Sequence, residues 1–136
     1  IPICCSTVQG NRVHHSKCLY YTDRLDLLEL EAAIADLADR ARAKQLRPDE
    51  VKGGTFTITN PGSVGSIVGL PIIKQPQVAI LCIGAIEKRP VVVDDGVVAR
   101  FQAYLTLGFD HRLIDGAVAD RFLSQIKTTL ENFPPS

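Results

Sequence analysis

The sequence predicts an α/β fold, a two-layer sandwich in which a mixed β-sheet carries helices on one face. Three observations predict it. Leu27, Leu30, Ile34, Leu37 and Ala41 recur at steps of three and four with charges between them, the stripe of an amphipathic helix. A β-branched run, Thr55-Phe56-Thr57-Ile58-Thr59, and an almost wholly apolar run, Val78 to Ile86, read as strands. A second helical stripe, Val118, Phe122, Ile126 and Leu130, follows the strands.

Taken in order, residues 1–21 stand apart. They hold three of the four cysteines, two of the three histidines and no Asp or Glu. No period of two or of 3.6 runs through them, so no structure is assigned, and the domain is expected over residues 22–136. A helix is predicted from about Arg24 to Leu46, with Asp23 where an N-cap belongs and Pro48 beyond its end. Gly53-Gly54 opens the first strand, Asn60-Pro61-Gly62 ends it, and a loop rich in Gly and Ser extends to about Leu70. Gln77 to Ile86 reads as a strand buried on both faces. Val91-Val92-Val93, Asp94-Asp95-Gly96 and Val97-Val98 form a hairpin signal, because Asp-Gly suits turn positions of positive φ. The second arm continues as one long strand, with Phe101, Ala103, Leu105, Leu107 and Phe109 on one face and Gln102, Tyr104 and Thr106 on the other. Asp110 to Asp115 is a polar turn, and a helix from Gly116 is closed by Pro134-Pro135.

Composition narrows the function. At 136 residues the chain is one domain at most. Its 15 Lys+Arg balance 15 Asp+Glu, so no net positive field gathers phosphates and no nucleic-acid partner is expected. With 46% hydrophobic and 22% charged residues the composition is that of a globular domain. The apolar run Val78 to Ile86 is far short of the ~20 residues a membrane helix needs, so no membrane partner is expected. No basic region precedes an apolar one at the start of the sequence. Four unevenly spaced cysteines do not read as a disulfide framework, which makes a reduced, intracellular protein the expectation.

The chemistry concentrates in Phe109-Asp110-His111-Arg112-Leu113-Ile114-Asp115-Gly116. A lone histidine lies between charged residues, directly after a strand and before a helix, where rigid elements aim groups into a cleft. A neutral imidazole there accepts a proton from a thiol or hydroxyl at pH 7. A plainer reading competes: Asp115 N-caps the last helix, and Asp110 pairs with Arg112 at the surface.

The string DHRLIDG, with its His-x-x-x-Asp-Gly pattern at His111, Asp115 and Gly116, resembles the catalytic domain of the dihydrolipoamide acyltransferases. These are the E2 cores of 2-oxoacid dehydrogenase complexes, within the chloramphenicol acetyltransferase-like superfamily. GGTFTITNPGSVGS at 53–66, PIIKQPQVAILCIGAIEKRPVVV at 71–93 and DRLDLLELEAAIADLADRARAKQL at 23–46 agree in order, so the resemblance covers about residues 22–133. Arg112 and the FTITN string set the chain on the E2 side rather than the chloramphenicol side.

The resemblance implies an acyltransferase that passes an acyl group between the dihydrolipoyl arm and coenzyme A. It implies His111 as general base, Asp115 as the residue holding the histidine's surroundings, and Thr59 as the hydroxyl that stabilises the oxyanion. Coenzyme A enters as substrate, the lipoyl group comes on a separate lipoyl domain, and no metal is implied. The implied partners are two further copies in a homotrimer, a larger cubic or dodecahedral core, the lipoyl domain, and the E1 and E3 components. The implied location is the cytoplasm, or the mitochondrial matrix in a eukaryote. Thr59 and the LIDG ending resemble succinyl-transferring members and Gly62 to Val68 branched-chain ones, so succinyl, acetyl and branched acyl groups all remain open.

The family domain carries a further stretch before this helix that supplies much of the coenzyme A pocket, and residues 1–21 do not resemble it. A missing or altered N-terminal part is the expectation, and with it a competing function: an inactive E2-like assembly fragment. Among other candidates, Cys5, His14, His15 and Cys18 lack the C-x-x-C frame of a zinc site. Cys82, inside an apolar run, reads as a small core residue.

Overall fold

The computed structural model describes residues 2–6, 8–9, 12–13, 17–20 and 22–134. Among these the elements run β1 (Ile3–Ser6), β2 (Val8–Gln9), β3 (Arg12–Val13), β4 (Lys17–Leu19), α1 (Leu27–Arg42), β5 (Phe56–Thr59), β6 (Ala79–Ile83), β7 (Glu87–Val93), β8 (Gly96–Gln102), β9 (Leu105–Phe109) and α2 (Gly116–Glu131). Five of the strands form one mixed sheet in the order β4-β1-β5-β6-β9. β5 lies parallel to both β1 and β6, while β4 and β9 close the two sides in antiparallel fashion. The predicted α/β architecture with a mixed sheet is the one present.

Residues directly opposite in a ladder share a face, so Ile58, Leu81 and Leu107 line one side and Cys4, Thr57, Ile80 and Gly108 the other. Helix α2 covers the first side, where Phe122 meets Phe56 edge to face at 5.9 Å. The second side is covered by the loop before β6. Thr106 donates its hydroxyl to the Gly69 carbonyl at 2.5 Å, and Thr57 donates to Gln77 Oε1 at 2.5 Å. Both covers together bury Ala79, Ile80, Leu81 and Cys82, which accounts for the uninterrupted apolar run there.

Helix α1 begins three residues later than the stripe implies. Asp26, not Asp23, is the N-cap: its carboxylate accepts the Glu29 amide at 2.8 Å, and Glu29 accepts the Asp26 amide at 3.1 Å. The two reciprocal bonds of this capping box fix the helix start at Asp26. Thr22–Arg24 form a 3₁₀ turn instead. At the other end Lys44 takes a φ of +58°, which stops the helix at Arg42 rather than Leu46. Pro48 opens a short 3₁₀ helix whose buried Glu50 accepts Arg40 Nη1 at 2.8 Å and so ties α1 down.

The long strand predicted from Val97 to Phe109 is two strands. β8 pairs only with β7, in a separate ribbon, whereas β9 joins the main sheet. The break falls where Tyr104 turns its carbonyl to the Gly84 amide, 2.8 Å away. In the hairpin the positive φ angles belong to Asp94 and Asp95, and Gly96 already pairs with Val93. The turn therefore sits one residue before the expected Asp-Gly.

Two strands of the segment left unassigned, β1 and β4, join the main sheet. β1 inserts between β4 and β5, and Cys4 and Cys18 face each other across β1 and β4 in a disulfide. This corrects the reading of all four cysteines as reduced; buried Cys82 remains a free thiol. β1 is four residues long and pairs with a strand 53 positions on, so no local pattern marks it in the sequence.

Candidate active site

β9 delivers the histidine. After Phe109 the ladder continues one step, with the Asp110 amide donating to the Val78 carbonyl at 2.9 Å, and then the chain turns. The amides of Leu113 and Ile114 both donate to the Asp110 carbonyl at 3.0 Å. The Asp110 carboxylate closes the turn from the side: Oδ1 accepts the Arg112 amide at 3.1 Å and Nε at 2.9 Å, and Oδ2 accepts Nη2 at 2.6 Å. His111 is the residue enclosed by that ring. Its exposed imidazole tilts against Phe109, ring centres 5.3 Å apart, and meets no hydrogen-bond partner among the described residues.

The electrostatics of the turn follow from this geometry. Hydrogen bonds from the Arg112 side chain and then from its amide hold the Asp110 carboxyl down to about 2. The same pairing raises the Arg112 guanidinium. The pair is thus a fixed, internally neutralised clamp beside the His111 imidazole.

Asp115 makes no hydrogen bond or ion pair to His111 among the described residues. Its Oδ1 accepts the Val118 amide at 2.8 Å as the N-cap of α2, a helix that starts just after the turn. Both parts of the plainer reading are therefore present in the fold, and together they frame the histidine rather than consume it.

Thr59 is the last residue of β5, half-buried, opposite Cys82 of β6 and Ser6 of β1. Its hydroxyl has no hydrogen-bond partner among the described residues, because Asn60 caps the following 3₁₀ turn by accepting the Ser63 amide. Thr59 and His111 are not brought together. Cys82 lies opposite both Thr59 and Thr106, whereas Asp110 meets Val78 at the other end of β6. Four residue steps at ~3.4 Å and two strand spacings at ~4.8 Å put Thr59 roughly 16 Å from Asp110. One copy of the chain holds the imidazole and the hydroxyl toward opposite ends of β6.

Beside the histidine turn runs a groove of about 440 Å³ between the loop before β6 and the end of β9. Pro71, Ile72 and Ile73 give it an apolar wall, and Gln75, Gln77 and Asp110 give it polar ends. Gly108 makes room for it: a Cβ there would stand 2.8 Å from the Pro71 carbonyl oxygen. Of the groove residues, Phe109 and Asp110 belong to the histidine string, whereas Pro71 to Gln77 are marked in the sequence only by the proline-flanked PIIKQP stretch. Of the weaker zinc set, Cys18 is committed to Cys4, and His14 and His15 lie outside the described residues.

Residues 19–135 match the family of 2-oxoacid dehydrogenases acyltransferase (catalytic domain). The acetyltransferase component of the pyruvate dehydrogenase complex from Mycobacterium tuberculosis is 55% identical over 112 residues, 79% of this chain and 20% of that protein. A probable mitochondrial succinyltransferase component of the 2-oxoglutarate dehydrogenase complex from Schizosaccharomyces pombe is 46% identical over 110 residues, 81% of this chain and 24% of that protein. Among solved structures, the dihydrolipoamide acetyltransferase of Azotobacter vinelandii superposes with a TM-score of 0.89 at 32% identity, covering 97% of this chain and 54% of that one. The cubic core of a pyruvate dehydrogenase multienzyme complex gives 0.88, also at 32% identity, over 97% of this chain and 54% of that one. The chain thus spans about a fifth to a quarter of the length of these curated relatives. With a histidine turn closed by aspartate and arginine on a mixed sheet, and a match over residues 19–135, the chain belongs to the 2-oxoacid dehydrogenase acyltransferase family, within its catalytic domain.

Proposed function

We propose that this chain is the C-terminal part of a dihydrolipoamide acyltransferase catalytic domain and that residues 22–136 carry its base and its oxyanion donor. The single observation that carries the reading is the presentation of His111: an exposed imidazole on a turn locked by Asp110 and Arg112, next in the chain to Phe109 and Asp110, which line a groove. Spacing supports it. In the Azotobacter vinelandii enzyme, a serine, a histidine and an asparagine were investigated for roles in catalysis, and the histidine follows the serine by fifty-two positions and precedes the asparagine by four. Thr59, His111 and Asp115 repeat that spacing with a hydroxyl, a histidine and a short polar side chain.

On this reading His111 takes the proton from the thiol of coenzyme A. The thiolate sulfur attacks the acyl carbon of the acyl-dihydrolipoyl thioester, forming a carbon–sulfur bond and an oxyanion. The Thr59 hydroxyl donates to that oxyanion. Collapse breaks the bond to the dihydrolipoyl sulfur, which receives the proton back from His111. Because one chain separates Thr59 from His111, the donor comes from a neighbouring copy, and a homotrimer within a larger core is the assembly that completes the site. A separate lipoyl domain brings the acyl group, and the E1 and E3 components are the remaining partners of the complex.

Acyl transfer between an acyl-coenzyme A and dihydrolipoamide, measured on a full-length protein containing this segment, tests the reading. Transfer that depends on His111 supports it. A full-length protein that assembles yet neither binds coenzyme A nor transfers acyl groups would instead establish the competing role in assembly alone.

A further inference from the structure

We propose that the Cys4–Cys18 disulfide is a thiol-reversible latch whose state is relayed through Gln77 to the turn that carries His111. The disulfide is buried, with Cys4 at 0% and Cys18 at 3% exposure, and it joins the edge strand β4 to β1. Gln77 reads it directly. Its Nε2 donates to Cys4 Sγ at 3.7 Å and to the Gly54 carbonyl at 3.0 Å, while its Oε1 accepts the Thr57 hydroxyl at 2.5 Å. One residue further on, the Val78 carbonyl accepts the Asp110 amide that begins the histidine turn. Gln77 and Asp110 also line the same groove. An unbroken series of contacts therefore runs from sulfur to histidine.

Space makes the relay respond. A Cβ on Gly54 would lie 1.9 Å from Cys4 Sγ and 2.9 Å from Cys18 Sγ, so the sulfurs sit directly on the Gly54 backbone. A dithiol reductant supplies two electrons and two protons; the sulfur–sulfur bond breaks, two thiols form, and the reductant closes into its own disulfide. The two sulfurs then part to non-bonded contact, and with Gly54 against them they displace the carbonyl that Gln77 holds. The relay stands apart from the reaction assigned to His111, because its test reads exchange and not turnover.

Hydrogen–deuterium exchange by mass spectrometry on the whole chain tests it, comparing protein purified without reductant, the same protein in dithiothreitol, and Cys18→Ser. Reduction is expected to speed exchange several-fold at residues 3–6 and 17–19 and also at 77–79 and 108–112. Exchange in the second half of α2 stays unchanged, and reoxidation restores the slow rates. In Gln77→Leu the change at 3–6 and 17–19 persists while that at 108–112 disappears. If Cys18→Ser does not fold, the reduced and reoxidised native chain carries the comparison alone. A chain that shows no mass gain of two hydrogens on reduction, or a change confined to 3–6 and 17–19, overturns the proposal.

Discussion

Asp110 accepts both the amide and the guanidinium of Arg112, so that His111 is fixed at the crest of a ring only three residues wide. A base on such a turn needs no rearrangement before it takes a proton, and its removal should be felt in turnover rather than in binding. Replacing His111 by Ala in the full-length enzyme is expected to lower turnover about 10²–10⁴-fold. Coenzyme A affinity, read by calorimetry, should change little. Near-normal turnover would remove His111 from the mechanism.

Thr59→Ala is expected to lower turnover about 10²–10³-fold, the worth of one oxyanion donor, and Thr59→Ser only slightly. Equal damage from Ser and Ala would instead assign Thr59 to β-branched packing at the end of β5. Because Thr59 and Asp110 stand at opposite ends of the sheet, inactive His111→Ala and Thr59→Ala chains should regain activity when exchanged into mixed trimers. Complete failure of exchanged trimers would place both groups in one chain's site.

Asp110 carries a pH signature. The Arg112 hydrogen bonds hold its carboxyl at about 2, below the ordinary 3.8, so the folded state favours the ionised form. The contribution is fully present above pH ~4 and is lost as pH falls through ~2. Melting temperatures followed across that window should drop less steeply in Arg112→Gln than in the parent. The pair faces solvent, so the difference should shrink in high salt. Identical slopes in both proteins would show that the pairing is not maintained in solution.

Asp115 stabilises a helix start whatever else it does. Asp115→Ala is expected to cost about 1 kcal/mol by denaturant titration, whereas Asp115→Asn keeps the side-chain acceptor for Val118 and should cost little. A large loss in Asn would mean that its charge, and not its cap, matters.

Phe133 lies just past α2 and is 54% exposed, so it does not fold back fully onto its own helix. As an aromatic anchor between trimers it would be buried in the core particle. Phe133→Asp in the full-length protein should then leave trimers intact and break the larger particle, because an unpaired carboxylate is costly to bury. Light scattering after size-exclusion chromatography reads this directly, and an unchanged large particle sinks the idea.

What was legible in the sequence follows from how local each signal is. α2, β5 and the β7–β8 hairpin were visible because stripe, β-branching and turn chemistry act within a few residues. The α1 start was misplaced because two aspartates compete within four positions, and only the one three residues ahead of Glu29 can make a reciprocal cap. The split between β8 and β9 was invisible because alternation continues through Tyr104, whose turned carbonyl serves Gly84, a residue twenty positions away. His111 stood out from its setting between strand and helix, but its groove did not, since Gln77 and Pro71 meet β9 only in the folded chain.

The place of β1 also governs the order in which the molecule can assemble. The hairpin of β7 and β8 closes over two residues and forms in microseconds. β1 reaches its seat only when Pro2 meets Thr55, 53 positions on, and β4 joins the sheet through β1 alone. The parallel middle of the sheet is therefore the slow part of folding, set by chain entropy rather than by contact strength. Until it closes, β5 offers a bare strand edge to any other chain, and crowded synthesis makes that interval the moment of greatest exposure to misassembly.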